Sequence, residues 1–107
     1  MSPWVLLGFA IVAEVVGTVA LRFSEGFTRP VPSAVCVVAY LFTFYGLAVT
    51  VRDLPLGLVY AIWAGAGTAL VAVIGMAALG ESVSTLKVAS LVLVVAGIVG
   101  LRASAGG

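Results

Sequence analysis

Four long apolar runs, nearly free of charge, constrain this chain more than any other feature. Trp4 to Leu21 covers 18 residues with one charge, Glu14, and Ser33 to Val51 covers 19 with none. Leu56 to Leu79 covers 24 with none, and Leu86 to Leu101 covers 16 with Lys87 at its edge. A helix needs about 20 apolar residues to cross the hydrocarbon of a bilayer. The Lys87 stem can snorkel to the interface, which lets the shorter run reach. Only 8% of the 107 residues are charged and 64% are hydrophobic, against about 25% charged in soluble domains. A soluble fold this small cannot hide so much apolar surface. Closed barrels also cross bilayers, but their strands are short and alternate in polarity. The expectation is an all-α integral membrane protein with four transmembrane helices, approximately 4–21, 33–51, 56–79 and 85–101, in a single domain over residues 1–107.

The breaks between runs carry turn chemistry. Ser24-Glu25-Gly26-Phe27-Thr28-Arg29-Pro30-Val31-Pro32 separates the first two helices, and Arg52-Asp53-Leu54-Pro55 the next two. Gly80-Glu81-Ser82-Val83-Ser84 precedes the fourth, with a serine available as N-cap. Residues 1–3 are Met-Ser-Pro, with no basic segment ahead of the first run, so that run is expected to be retained as a helix, not cleaved as a signal peptide. Cys36 is the sole cysteine and the chain has no His, so neither an intrachain disulfide nor a metal site is expected, and no cofactor. A net charge of +1 gives no case for nucleic acid.

With four spans, both termini share one side of the membrane. Arg52 and Arg102 fall on that side, and Arg22, Arg29 and Lys87 on the other. Two against three is a weak bias under the positive-inside rule. It is compatible with insertion in both orientations and pairing as an antiparallel dimer. Four short helices enclose little space for a drug-sized ligand, which also points to an oligomer.

Glu14 is the one charge placed at mid-membrane. A charged side chain there costs about 2.5–3.5 kcal/mol on insertion scales, and such residues mark functional sites. Ala10, Gly17 and Thr18 lie on its helix face by i±3 and i±4 spacing. Gly17 and Ala10 are expected to leave room beside the carboxylate, and Thr18 to hydrogen-bond it. On the third helix Tyr60 and Trp63 share a face and offer rings for cation–π attraction. Tyr40 and Phe44 share a face of the second, with Thr43 beside them. In an apolar medium a carboxylate is neutralised by a proton or by a cation. A site of this kind, opening to each side in turn, exchanges protons for lipophilic organic cations. Gly65 and Gly67 soften the third helix and suggest a kink. Ser90 and Gly97 lie on a small-residue face of the fourth, suited to helix–helix packing.

The strings Ala13-Glu14-Val15-Val16-Gly17-Thr18, Phe23-Ser24-Glu25-Gly26-Phe27-Thr28-Arg29, Pro55-Leu56-Gly57 and Tyr60-Ala61-Ile62-Trp63-Ala64-Gly65-Ala66-Gly67 resemble the small multidrug resistance family of bacterial exporters over nearly the whole chain. The resemblance implies a proton/cation antiporter of the bacterial cytoplasmic membrane, not an enzyme. It further implies an antiparallel homodimer whose two copies of Glu14 share one chamber. By the same resemblance Tyr40, Tyr60 and Trp63 line that chamber, and Ala10, Gly17 and Thr18 surround the glutamate. Gly65 and Gly67 match the family's kink, and Ser90 and Gly97 its dimerising face. The guanidinium-exporting branch carries Trp three residues after the glutamate. Gly17 stands there in this chain, which resembles the quaternary ammonium and multidrug branch. Ser90 replaces an expected Gly, and Thr43 replaces the usual Ser. Some family members pair as heterodimers; the near-balanced charges favour self-pairing.

Three alternatives remain at the level of sequence. A guanidinium exporter uses the same mechanism on a smaller cation. A non-transporting assembly protein uses the small-residue faces only to pack, so that Tyr60→Ala and Trp63→Ala disturb assembly alone. A rotor-type proteolipid also holds one acid in mid-membrane, but with two spans and the acid in the second.

Overall fold

A computed structural model describes residues 2–105. It contains α1 (Pro3–Phe23), α2 (Pro30–Thr50), α3 (Leu56–Ala78) and α4 (Thr85–Ser104), with no strand among the described residues. All four are long and apolar enough to span a bilayer. Large apolar side chains such as Phe9, Leu41, Phe42, Leu86 and Leu93 point outward and are exposed, as expected where lipid replaces water around the fold.

Local chemistry sets the helix ends. Ser2 caps α1 by accepting a hydrogen bond from the Trp4 N–H at 3.2 Å, with Pro3 opening the helix. Ser84 caps α4 in the same way, accepting from the Lys87 N–H at 3.1 Å. The expected start of α2 at residue 33 is corrected to Pro30. Pro30 and Pro32 both fit the first turn, where N–H groups have no intrahelical acceptor and proline's fixed φ is already helical. Prolines that look like a linker are therefore the first turn of the helix. α4 also runs on to Ser104, past the expected end at residue 101.

The α1–α2 turn is tightly fastened. Glu25, Gly26 and Phe27 are consecutive left-handed residues, with φ of 47°, 72° and 66°. Ser24, fully buried, donates its hydroxyl to the Leu21 carbonyl at 2.7 Å and accepts from the Phe27 N–H at 3.1 Å. Its own carbonyl accepts from the N–H groups of Thr28 and Arg29. At the end of α3, Gly80 (φ 73°) reverses the chain so that the Glu81 N–H bonds the Gly75 carbonyl at 3.1 Å.

The chain forms two compact units, Met1–Val59 and Tyr60–Gly107. In the first, α1 and α2 pack as an antiparallel hairpin. The buried residues of α2 are Cys36, Ala39, Thr43, Gly46 and Thr50, a 3-4-3-4 spacing that forms one seam along the helix. Leu7, Ala10, Gly17 and Ala20 face it from α1. Most of these are small, which lets backbones approach closely in lipid. A Cβ on Gly46 would stand 3.2 Å from the Ala10 Cβ. The Thr43 and Thr50 hydroxyls are satisfied by carbonyls one turn back, Ala39 at 3.0 Å and Gly46 at 2.7 Å.

In the second unit the bare face of Gly65 receives Ile98 and Val94 of α4. An apolar groove of about 530 Å³ runs between Ala69, Val73 and Met76 of α3 and Val88, Val92 and Val95 of α4. No residue of α4 is buried.

Candidate functional site

Glu14 lies near the middle of α1, one turn before Thr18. The Thr18 hydroxyl donates to Glu14 Oε1 at 2.7 Å. The same hydroxyl oxygen is 2.6 Å from the Tyr40 hydroxyl of α2. Threonine has a single hydroxyl proton. Since the carboxylate takes it, Tyr40 is the donor in the bond to Thr18. The result is a one-way chain, Tyr40 to Thr18 to Glu14 Oε1. Glu14 Oε2 is buried and has no hydrogen-bond partner among the described residues. Leaving a buried carboxylate oxygen unpaired is costly. A proton or a cation satisfies it, so this oxygen is the chemically open end of the site.

Two expectations for the surroundings of Glu14 are corrected. Gly17 does not leave empty space. A Cβ there would meet the Ala39 Cβ at 3.3 Å and Cδ1 and Cε1 of Tyr40 at 3.4 Å. Glycine here admits the tyrosine ring from the neighbouring helix. Ala10 is likewise filled in. It is buried, its Cβ faces Gly46, and its carbonyl is 3.3 Å from the Thr43 hydroxyl. Thr43 is fully buried with its hydroxyl directed at the backbone of both helices. Ala10 and Thr43 thus hold the α1–α2 seam on which the Glu14 chain is mounted.

The second unit holds the other two aromatic residues expected at the site. Tyr60 and Trp63 pair edge to face, with ring centroids 5.6 Å apart and planes at 69°. The Tyr60 side chain is largely exposed, which leaves ring surface for a ligand. α3 passes through Gly65 and Gly67 as uninterrupted α-helix. Gly67 is buried there, and Gly65 seats Ile98. Ser90 and Gly97 are exposed on α4, and nothing lies within 4 Å of where a Gly97 Cβ would be.

Sequence reasoning missed Ala39 and Gly46, which set the spacing of α1 and α2 at the site. The signal was present in the run Cys36, Ala39, Thr43, Gly46, Thr50, a heptad of small residues. It also missed Ser24 as the buried fastener of the turn. Glu81 lies in the connection between α3 and α4, and its carboxylate folds back onto the face of Gly75.

Comparison with known proteins agrees with this architecture. The family described as Small Multidrug Resistance protein matches residues 2–94. The Multidrug transporter EmrE of Escherichia coli (strain K12) is 39% identical over 98 residues, covering 92% of this chain and 89% of its own. The Guanidinium exporter of Escherichia coli (strain K12) is 41% identical over 101 residues, covering 94% and 96%. The Guanidinium exporter of Yersinia pseudotuberculosis is 39% identical over 99 residues, covering 92% and 95%. These relatives are named as transporters and none as an enzyme. With four apolar spanning helices and a family match over most of its length, the chain belongs to the small multidrug resistance family, as a multi-pass transporter of the bacterial inner membrane.

Proposed function

We propose that this chain is a proton-coupled antiporter of small organic cations, in which Glu14 binds either a proton or the cation. The observation that carries the reading is the state of the carboxylate. One oxygen is held by Thr18, and the other is buried with no partner among the described residues. A group built in this way favours a positive charge at a single place, and proton and cation compete for it. The four helices act as one transmembrane domain, and two oppositely inserted copies form the working homodimer. Each protomer contributes Glu14, with Tyr40, Tyr60 and Trp63 as its cation-facing aromatic residues. The near-balanced positive charges on the two sides support self-pairing over a heterodimer.

For the substrate we infer lipophilic or quaternary ammonium cations, because Gly17 stands where the guanidinium branch carries Trp. A second reading has its own support: the two Guanidinium exporters are 41% and 39% identical to this chain, against 39% for the Multidrug transporter EmrE. Transport into liposomes with an imposed pH gradient separates the two. Quaternary ammonium uptake is expected, driven by protons and lost in Glu14→Gln. Uptake of guanidinium alone would overturn the substrate assignment. Proton-driven transport by Glu14→Gln would overturn the mechanism.

A further inference from the structure

The Tyr40 ring lies over the bare backbone of Gly17, with its Cδ1 and Cε1 both 3.4 Å from the place a Cβ would take. From that seat the Tyr40 hydroxyl reaches Thr18 at 2.6 Å, and Thr18 reaches Glu14 Oε1 at 2.7 Å. Gly17 touches neither hydroxyl nor carboxylate through a side chain, since it has none. Its effect on them runs through the position of the ring. The seam bears on this place too, since the Ala39 Cβ stands 3.3 Å from where a Gly17 Cβ would be, but glycine is not the general rule along it. Alanine is used at the buried positions 10, 20 and 39 along the same interface, and the other close approach, at Gly46, faces Ala10 and not a ring.

We propose that Gly17 is a positioning residue for cation exchange. By lacking a Cβ it seats Tyr40, whose hydroxyl fixes the Thr18 proton on Glu14 Oε1 and leaves Oε2 as the one oxygen open to the exchanged proton or cation. The inference rests on the reading of Glu14 as the exchanging carboxylate. It adds a division of labour between the two carboxylate oxygens. It also gives residue 17 an influence on the carboxylate that runs through the Tyr40 ring and the Thr18 hydroxyl. Alanine at 17 asks Ala39 to give by a few tenths of an ångström and sets its methyl against the Tyr40 ring at 3.4 Å, the limit of ordinary contact, so the ring has no slack and the Tyr40–Thr18 bond lengthens. Leucine displaces the ring and breaks it.

The test has two arms on the full chain in liposomes. The first is the 13C resonance of the Tyr40 ring carbon bearing the hydroxyl, assigned by its disappearance in Tyr40→Phe. Thr18→Val gives the position of that resonance with the bond absent. Gly17→Ala is expected to move it part of the way, and Gly17→Leu the whole way. Ala39→Gly added to Gly17→Ala relieves the 3.3 Å contact with Ala39 and leaves the Tyr40 contact, so the shift is expected to persist. An unmoved resonance in Gly17→Ala, or full return to wild type on adding Ala39→Gly, would overturn the proposal, and neither result depends on Gly17→Leu folding.

The second arm is equilibrium binding of whichever cation the wild type transports, a quaternary ammonium ion or guanidinium. Tyr40→Phe and Gly17→Leu are each expected to weaken binding by up to about tenfold, the upper end for a hydrogen bond between two neutral hydroxyls. The double variant is expected to lose no more than either alone, because both act on one chain of bonds. Losses that multiply in the double variant would show that residue 17 acts directly, against the proposal. If Glu14→Gln still transports, the exchange reading fails while the resonance arm stands. If the resonances do not move, the positioning role fails while transport stands.

Discussion

Thr18→Val tests the hydrogen-bond chain with the least change of shape. Valine keeps the branched outline of threonine and replaces only the hydroxyl with a methyl. That hydroxyl makes two short bonds, 2.7 Å to Glu14 and 2.6 Å to Tyr40, and both are lost together. Hydrogen bonds between membrane helices average about 0.6 kcal/mol because the partners find substitutes. Glu14 has no substitute on hand. Its second oxygen already lacks a partner among the described residues, so the substitution leaves the carboxylate with neither oxygen held. The relevant class is therefore a hydrogen bond to a charged group, about 1.5–3 kcal/mol. At about 1.4 kcal/mol per factor of ten, cation binding should weaken by roughly tenfold to a hundredfold. Thr18→Ser keeps the hydroxyl and should stay within about threefold of wild type. The assay is isothermal titration of the protein in liposomes with a cation that the wild type transports. Thr18→Val binding within about twofold of wild type, or Thr18→Ser as weak as Thr18→Val, would refute the reasoning.

Three further outcomes follow from the fold and can be read by denaturation in mixed micelles, followed by tryptophan fluorescence. Ser24→Ala should destabilise by about 1–3 kcal/mol, because the Phe27 N–H loses its acceptor in the part-buried turn; an unchanged midpoint would show that water serves that group. Gly46→Leu should cost about 1–3 kcal/mol or more, since a Cβ alone already stands 3.2 Å from Ala10; it should also weaken cation binding by separating α1 from α2. Gly26→Ala and Gly8→Ala form a contrasting pair, as neither added Cβ has a neighbour within 4 Å. At Gly26 the left-handed backbone, φ 72°, should make alanine cost about 1–2 kcal/mol. At Gly8, inside α1, alanine should stabilise by about 0.5–1 kcal/mol. A destabilised Gly8→Ala would mean that this face is covered in the assembly.

The spans, their helical character and the isolation of Glu14 were legible in the sequence by itself, because bilayer thickness and the energy of charge in hydrocarbon act on composition and length alone. The i, i+4 relation of Glu14 and Thr18 was legible for the same kind of reason: helix geometry is local, and one turn brings the two side chains together. The same local rule left residues 10 and 17 ambiguous. A small residue on a helix face either opens a space or admits a neighbour, and only the neighbour decides which. The tertiary structure supplied it. Tyr40 and Ala39 fill the face of Gly17, Gly46 accepts Ala10, and Thr43 bonds to the seam. The donor order through Tyr40 and Thr18 likewise came from the packing of two helices, 22 residues apart in sequence at that contact. The prolines at the head of α2 show the reverse effect, where a sequence signal for a break was absorbed into a helix start that tolerates it. What the chain can be in a membrane follows from its residues one helix at a time. Which oxygen of Glu14 is left open follows from the approach of the second helix.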